Sequence, residues 1–181
     1  MAELLPGLHQ IPQILGPRYL YQYLLVGDRS LLIDTGCANS PDEVILPYFG
    51  EVGFDSARLD TILITHADVD HMGGNAAMHR AAPRAILACH HGDAAWIGSR
   101  QAILAERYGW YRRFGMDYPA EVWSWLEANI RPDVRVDLHL SGDEVFMLGD
   151  SRPVHAHLEQ LVRAGQAARI QVDGSPAWVA P

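Results

Sequence analysis

Apolar residues along this chain come in short runs separated by polar turns. Residues 19–26 and 30–33 are two such runs on either side of a Gly-Asp-Arg turn, a pattern typical of two strands joined as a hairpin. A helix-like stretch near residues 41–49 follows, and the apolar run over residues 59–64 predicts the next strand. The first part of the chain therefore predicts strands through residue 34, a helix and one more strand.

The alternation of strands and helices continues downstream. The predicted elements are a strand over residues 84–88, helices over 94–114 and 119–130, strands over 134–140 and 144–148, a helix over 154–165 and a final apolar run over 168–172. This order predicts an α/β fold (α+β in a broader sense), in one domain that spans residues 1–181.

Composition and charge narrow the class of protein. A chain of 181 residues that is 49% hydrophobic can bury a sizeable core. A net charge of −8 without clustered Lys and Arg argues against nucleic acid and anionic membranes as partners.

No apolar run reaches the roughly 18 residues of a membrane span, and the N-terminal region lacks the pattern of a signal peptide, so a cytoplasmic location is expected. Cys37 and Cys89 are expected to be buried thiols, with a disulfide between them left open.

The most informative segment is residues 65–75, which read Thr-His-Ala-Asp-Val-Asp-His-Met-Gly-Gly-Asn directly after a predicted strand. His66, Asp68, Asp70 and His71 place four metal-capable side chains within six positions, which a hydrophobic core would avoid. Residues 66, 68 and 70 can point to one side of the loop, with His71 following, so one loop could serve two adjacent ions. The alternative is a solvated polar turn with a helix cap.

The end of this segment predicts how the chain leaves the loop. Gly73 and Gly74 remove side chains where the backbone turns tightly, and Asn75 is a candidate cap for a helix over residues 76–82. Upstream, residues 32–36 read Leu-Ile-Asp-Thr-Gly and end a predicted strand at Asp34. Taken alone, this Asp-Thr-Gly could be an ordinary turn.

These motifs resemble the metallo-β-lactamase superfamily, whose strand-to-helix loop reads His-x-His-x-Asp-His and which has a Leu-Ile-Asp-Thr-Gly segment upstream. The resemblance implies an αββα sandwich in which His66 and Asp68 bind one ion, and Asp70 and His71 bind the other. It also implies that Asp34 orients a ligand by hydrogen bonding.

This chain departs from the family pattern at Asp68, which stands where the pattern has its second histidine. A carboxylate is harder than imidazole and adds negative charge, which shifts the preference from zinc toward manganese or iron. Zinc, as one or two ions, remains the first expectation, because Asp also ligates zinc.

Several other residues carry two interpretations. His90 and His91 beside Asp93 are taken as surface histidines rather than ligands. The basic residues Arg107, Arg112 and Arg113 are expected on a solvated helix face, with a contact to a substrate anion as the alternative. An aromatic group could form a lid over a pocket or simply belong to the core; it comprises Tyr108, Trp110, Tyr111, Phe114, Trp123 and Trp125 together with Leu126.

The resemblance covers residues 1–150, with residues 154–180 similar to the family's C-terminal segment, so the sandwich is expected to be incomplete in its second half. Asp143 is interpreted as a turn residue, since the Gly-His-Thr segment that would precede a bridging aspartate is missing. His155 and His157 are the imidazoles left to replace the lost ligands. A half-sandwich would expose a sheet face, so either a partner chain covers it, as in a homo-oligomer, or the chain is a shortened relative with a compromised site.

The expected function follows from the resemblance and from metal chemistry. A complete site would make the chain a metal-dependent hydrolase that acts through a metal-bound hydroxide on an ester, thioester, lactone or related bond of a small molecule. Asp70 would also orient the nucleophile. The alternative is a shortened, catalytically inactive metal-binding or interaction module of the same fold.

Overall fold

A computed structural model describes residues 2–131, 133–141, 168–172 and 175–179 of the chain, the last two ranges as backbone. The strands are β1 (Ala2–Leu5), β2 (Leu8–Leu15), β3 (Arg18–Val26), β4 (Ser30–Ile33), β5 (Thr61–Ile64), β6 (Ile86–His90), β7 (Leu138–Leu140), β8 (Ala168–Val172) and β9 (Ser175–Val179). The α-helices are α1 (Leu46–Glu51), α2 (Val69–Met72), α3 (Asn75–Ala81), α4 (His91–Gly98), α5 (Arg100–Ala102) and α6 (Ala120–Asn129). Further helical turns cover Pro41–Ile45, Ser56–Arg58, Ile103–Tyr108 and Gly109–Phe114.

Seven strands form one mixed sheet in the order β1-β2-β3-β4-β5-β6-β7. The first four are antiparallel to their neighbours, which includes the predicted hairpin of β3 and β4. From β4 to β7 the neighbours are parallel, and each of these connections contains helical segments, as a parallel crossover requires. The strands β8 and β9 pair with each other in a separate antiparallel hairpin. The predicted α/β class is therefore confirmed.

One face of the sheet carries the hydrophobic core. It presents His9 and Ile11 of β2, Leu20, Gln22 and Leu24 of β3, Leu32 of β4, Ile62 and Ile64 of β5, and Leu87 and Cys89 of β6. Side chains from the helices pack against this face and include Ile45, Tyr48, Phe49, Met78, Ile97, Ile103 and Leu126. The alternation of strand residues thus sends every second side chain into one core beneath the helices.

The opposite face, called the outer face below, is formed by the intervening strand positions. It comprises Leu8, Gln10, Pro12 and Ile14 of β2, Tyr19, Tyr21, Tyr23 and Leu25 of β3, Leu31 and Ile33 of β4, Thr61 and Leu63 of β5, Ile86, Ala88 and His90 of β6, and Leu138 and Leu140 of β7. None of these residues is Asp, Glu, Lys or Arg, and most are apolar. A sheet face that is solvated over its whole width usually alternates polar residues into these positions.

The structure corrects two predicted element boundaries. The helix predicted over residues 94–114 is broken, because α4 ends at Gly98 and Ser99 adopts an extended backbone (φ −135°, ψ 116°) before the chain becomes helical again. The strand predicted over residues 134–140 begins only at Leu138. The helix predicted over residues 119–130 is confirmed as α6.

Other predicted elements are confirmed or lie outside the described chain. Residues 168–172 form β8, whereas the strand predicted over 144–148 and the helix predicted over 154–165 lie outside the described residues. Cys37 and Cys89 are both free and buried, as expected. Within the ranges that the structure describes, no helix has the length and apolar character needed to cross a bilayer.

Candidate metal centre

The predicted metal-binding residues lie at the carboxyl edge of the parallel strands. The strand β4 ends directly before Asp34, and β5 ends directly before Thr65. Because these parallel neighbours end at the same edge of the sheet, the loops that follow them meet there. Loops at this edge are the usual place for ligand sites in α/β sheets.

The side chain of Asp34 connects the segments that meet at this edge. The residue is 3% exposed and has a backbone φ of +62°, which is uncommon for a residue with a side chain. The Thr65 N–H donates to Oδ1 of Asp34 at 2.8 Å, and the Thr65 hydroxyl lies 2.9 Å from Oδ2. Nδ1 of His71 lies 2.8 Å from the same Oδ2. The buried carboxylate therefore joins the end of β5 to the far end of the loop, and it leaves Nε2 of His71 available to face another group.

His71 in turn packs against His66, with their ring centroids 4.0 Å apart. Burial lowers the pKa of His71, but the hydrogen bond and charge of Asp34, together with the charges of Asp70 and Asp68, outweigh it and raise the pKa overall. Nε2 of His66 lies 3.3 Å from Oδ2 of Asp68. Two imidazoles and one carboxylate of the predicted ligand set are thus brought together.

Each of the two loop aspartates also faces an arginine from a different part of the chain. Arg107 places its guanidinium 2.8 Å from Oδ1 of Asp68, and both side chains are about one-third exposed. Arg18, at the start of β3, reaches Oδ2 of Asp70 at 3.0 Å. Carboxylates that attract guanidinium groups in this way lie in a region that favours cations.

The solvated face predicted for the three arginines is wrong for Arg107, which pairs with Asp68. Arg107 lies on the π-helical turn Ile103–Tyr108, which brings it to the metal loop from about 40 positions downstream. Arg112 does lie at the surface, where it binds Asp117 at 2.9 Å and stacks over Trp123. No local sequence pattern identifies Arg18 or Arg107 as neighbours of the loop, because both contacts depend on the tertiary fold.

Two further side chains hold the backbone of the loop. A carboxylate oxygen of Asp93 accepts the Ala67 N–H at 2.9 Å, and the hydroxyl of Tyr108 accepts the Val69 N–H at 2.9 Å. Burial raises the pKa of Tyr108 to about 12, so this hydroxyl stays neutral at physiological pH. The loop backbone is thus fixed at two points, and its polar side chains are only partly exposed.

The two glycines act through close contacts. Both have ordinary helical φ values, but a Cβ on Gly74 would lie 2.3 Å from the Thr35 carbonyl oxygen, and one on Gly73 would lie 2.6 Å from that of Val69. The Gly74 N–H donates to the Gly36 carbonyl at 3.1 Å, which draws the two loops together. The glycines thus permit close packing between loops rather than an unusual turn.

The predicted helix cap is wrong. The cap position of α3 is Gly74, with Asn75 as its first helical residue and no capping bond from a side chain. The Asn75 side chain instead accepts a hydrogen bond from the Thr35 hydroxyl at 2.7 Å. Asn75 therefore ties α3 to the segment after β4.

The structure also shows where the adjacent histidines and the aromatic group lie. His90 and His91 are exposed, as expected, and contact the carbonyls of Ser141 and Leu140. In the aromatic group, Trp110 (45% exposed), Phe114 (60%) and Trp125 (38%) lie at the surface, whereas Tyr108, Trp123 and Leu126 pack on or in the core. Asp143, His155 and His157 lie outside the described residues.

The chemistry of the loop fits a divalent cation, although its present geometry holds only part of a coordination shell. His66, Asp68, Asp70 and His71 supply nitrogen and carboxylate ligands of the types that zinc, manganese and iron use. In the described part of the chain, no group of three or more His, Cys, Asp or Glu side chains is arranged to enclose an ion. The two carboxylates face Arg107 and Arg18, so an ion must compete with guanidinium groups for them.

Known proteins share this fold. Residues 15–160 match the family model of the metallo-beta-lactamase superfamily. A motif mutant of a metallo-beta-lactamase from Cronobacter sakazakii is similar in structure, with a TM-score of 0.60 and 23% identity over 82% of this chain and 50% of that chain. A metallo-beta-lactamase family protein from Thermus thermophilus gives a TM-score of 0.62 at 19% identity over 98% of this chain and 57% of that one.

The native FEZ-1 metallo-beta-lactamase from Legionella gormanii is also similar, with a TM-score of 0.56 at 19% identity over 88% of this chain and 55% of that chain. No curated protein sequence matches. At these identities the similar structures show the fold alone. The chain spans about half the length of these solved structures.

Proposed function

Because this chain belongs to the metallo-beta-lactamase superfamily, we propose that it is a metal-dependent hydrolase whose ions are held by His66, Asp68, Asp70 and His71. The observation that carries the proposal is the contact of His71 with the buried Asp34 on one side and with His66 on the other. A histidine oriented by a carboxylate is a common feature of protein metal sites. A simple polar turn would not need a histidine held between a buried carboxylate and a second imidazole.

The chain's own residues would orient the ligands before an ion arrives. Asp34 fixes the ring of His71 and, through Thr65, the start of the loop. Asp93 and Tyr108 hold the loop backbone at Ala67 and Val69, so the side chains between them start from defined positions. Ligands held in this way lose less conformational entropy on binding.

Metal ions of this kind, when bound, lower the pKa of a coordinated water molecule to about 7. We assign Asp70 the further role of accepting a hydrogen bond from the attacking water and so orienting it. Asp70 is suited to this role because its carboxylate is mostly buried, with 14% of the side chain exposed, yet reaches Arg18 at the surface. Arg18 must release Asp70 for this, and a pair this exposed on the arginine side is weak.

We propose an ester, thioester, lactone or related bond of a small molecule as the target, since hydrolysis is the reaction that such a site supports most directly. Zinc is the first candidate ion, and Asp68 makes manganese and iron suitable as well. The cytoplasm is the compartment we propose.

The first test is elemental analysis of protein purified without added metal, combined with a hydrolysis screen over ester, thioester and lactone substrates. We expect one or two ions per chain and turnover that falls at least 100-fold in Asp70→Asn. Asp42→Asn, which changes an exposed aspartate on the helical side, is the matched control and should keep wild-type turnover. Turnover that survives Asp70→Asn would overturn the assigned role of Asp70.

The alternative is an inactive module that keeps the loop for binding or structure. The observation in its favour is that both Asp68 and Asp70 already face arginines, which neutralise the loop without an ion. A folded chain with no bound metal, even after dialysis against zinc, manganese and ferrous iron, would establish this alternative and refute the hydrolase.

A further inference from the structure

Two arginines contact the metal loop from parts of the chain that are far apart in sequence. Arg18 begins β3 after the turn at the tip of the β2–β3 hairpin, and Arg107 lies on the helical turn Ile103–Tyr108. Their guanidinium groups reach Asp70 and Asp68, which are two positions apart in the loop. Two residues of chain span at most about 7 Å, so both positive charges belong to one short segment.

Both guanidinium groups are also accessible from solvent. The Arg18 side chain is 67% exposed, and that of Arg107 is 37% exposed. In the described part of the chain, each guanidinium has one hydrogen-bonded partner, its aspartate, which takes a single terminal nitrogen. A guanidinium has five N–H donors. Each arginine therefore has donors left for a molecule that enters from solvent.

The two arginines are anchored beside the loop by other contacts than their ion pairs. Arg18 pairs with Leu15 across the tight turn of the hairpin, and Leu20 on the same face of β3 is buried. Next to Arg107, the partly buried Tyr108 packs on the core and accepts the Val69 N–H at 2.9 Å. Both guanidinium groups therefore stay near the loop when they leave their aspartates.

The loop carboxylates decide when the guanidinium groups become available. Without a metal ion, Asp68 and Asp70 neutralise them. Under the proposed function, on which this inference rests, the same carboxylates turn to a divalent cation, and a guanidinium beside that cation is repelled. Arg18 and Arg107 then carry two positive charges that neither loop aspartate compensates. Such charges beside a site favour an anionic partner.

We propose that Arg18 and Arg107 form an oxyanion-binding pair that selects the substrate of the hydrolase. The substrate is a small molecule that carries a carboxylate or phosphate group in addition to the bond that is hydrolysed. The planar fork of a guanidinium matches both of these oxyanions with two parallel hydrogen bonds. A neutral ester or lactone would leave both charges without a partner.

Another arginine of this chain provides a matched control. Arg29 is 65% exposed, nearly the same as Arg18, and its guanidinium lies 3.7 Å from a carboxylate oxygen of Asp60. This pair lies at the opposite edge of the sheet, directly before β4 and β5 begin. The Asp60 carboxylate also accepts the backbone N–H of Ser30 at 2.8 Å. Arg29 therefore has the exposure and the charge of Arg18 but lies away from the metal loop.

The first experiment is calorimetric titration of the zinc-loaded protein with inorganic phosphate and with acetate, which measures binding without turnover. We expect Arg18→Gln combined with Arg107→Gln to weaken the binding of at least one anion about tenfold or more, since charged hydrogen bonds are lost. Arg29→Gln should match the wild type. The anion with the larger loss identifies the substrate group. Equal affinity of the wild type and the double variant would overturn the proposal, because the anion would then bind at the metal alone.

The second experiment frees the arginines without a metal ion. Asp68→Asn combined with Asp70→Asn keeps the size of both side chains and removes the charges that hold Arg18 and Arg107. This metal-free variant should bind phosphate or acetate about tenfold more tightly than the metal-free wild type. Adding the two arginine substitutions should abolish that gain. The absence of any gain would overturn the oxyanion pair, whether or not the protein takes up metal, so the failure of this pair and the failure of the hydrolase are distinguishable.

Turnover tests the selection of substrate directly. The wild type should prefer the hemisuccinate ester of p-nitrophenol over the neutral butyrate ester, and the double arginine variant should lose this preference in kcat/KM. A preference that survives both substitutions would contradict the assignment. If the double variant fails to fold by circular dichroism, Arg18→Gln alone changes an exposed side chain and decides the question with a loss of about threefold or more in anion affinity.

Discussion

Asp34 combines a left-handed backbone, burial and three short contacts in one residue. A non-glycine residue in the left-handed conformation costs free energy. Such a conformation persists only where the surrounding structure enforces it. Here Thr65 and His71 hold the carboxylate in its present position through their hydrogen bonds to it. The strain is therefore located where the proposed metal ligands are oriented.

Asp34→Asn should weaken metal binding while the fold survives. The amide keeps the size of the side chain but removes the charge that orients His71, so we expect zinc affinity to fall by about 10- to 100-fold. Calorimetric titration of the metal-free protein measures this directly. Asp42→Asn serves again as the control, and equal affinity in wild type and Asp34→Asn would contradict the role of Asp34.

Arg107 should compete with the metal for Asp68. An ion pair that is about one-third exposed on both sides contributes roughly 0.2 to 1 kcal/mol, so Arg107→Gln should raise metal affinity by up to about fivefold. Arg113→Gln changes an exposed arginine nearby and should leave the affinity unchanged. A lower metal affinity of Arg107→Gln in the same titration would contradict this prediction. It would mean that Arg107 positions Asp68 for the metal rather than blocks it.

The two cysteines should be slow to react in the native protein. Burial raises the pKa of both Cys37 and Cys89 to about 11, which reduces the thiolate fraction at pH 8 about 100-fold relative to a free thiol. Modification by a disulfide reagent should therefore be at least 100-fold slower in the native protein than in urea. A fast native reaction at either cysteine, identified with the Cys37→Ala and Cys89→Ala variants, would contradict the burial.

The same shift sets the sign of a pH effect on stability. Between about pH 9 and pH 11 the unfolded chain releases the thiol protons while the folded chain retains them. The stabilisation that comes from keeping the two thiols protonated is therefore fully present below pH 9. The free energy of unfolding should fall as the pH rises toward 11. Urea denaturation of wild type and of the Cys37→Ala and Cys89→Ala variants across this range isolates the contribution of each thiol.

At the scale of elements, the metal loop depends on contacts between segments that are far apart in sequence. The turn after β4 and the start of α3 approach so closely that Gly74 has no space for a Cβ. The Thr35 N–H donates to the His71 carbonyl at 2.8 Å, and the Thr35 hydroxyl reaches Asn75. The two loops therefore form a single unit, and a disturbance of either one reaches the ligands.

Gly74→Ala should destabilise the protein and weaken metal binding together. The new Cβ would meet the Thr35 carbonyl oxygen and the Pro41 ring, and such overpacking costs about 1 to 3 kcal/mol. Gly50→Ala is the matched control, because Gly50 lies in α1 with no atom near its would-be Cβ. That variant should stabilise the protein by about 0.5 to 1 kcal/mol. Denaturant unfolding measures both effects, and equal stability of the two variants would refute the close approach.

At the scale of the whole molecule, the described sheet has helices on one face and uncharged residues on the other. This is one half of the expected αββα sandwich, and it agrees with a chain that spans about half the length of similar solved structures.

The sequence alone determined the features that depend on neighbouring residues. Apolar runs bounded by turn residues predicted the hairpin of β3 and β4 and the strand before the metal loop, and the spacing of large apolar residues predicted helix α6. The dense group of His66, Asp68, Asp70 and His71 was identifiable in the same way, since its members are close in sequence. The fold class followed from the order of these elements.

Only the tertiary structure decided which distant residues meet. Arg18, Tyr108 and Arg107 reach the loop across 39 or more positions, and such contacts leave no local signal. The role of Asn75 also follows from packing, because this buried amide takes its partner, the Thr35 hydroxyl, from a segment 40 positions upstream. The uncharged outer face became visible only when the strands were placed in register, because alternate positions on six different strands must align to form it.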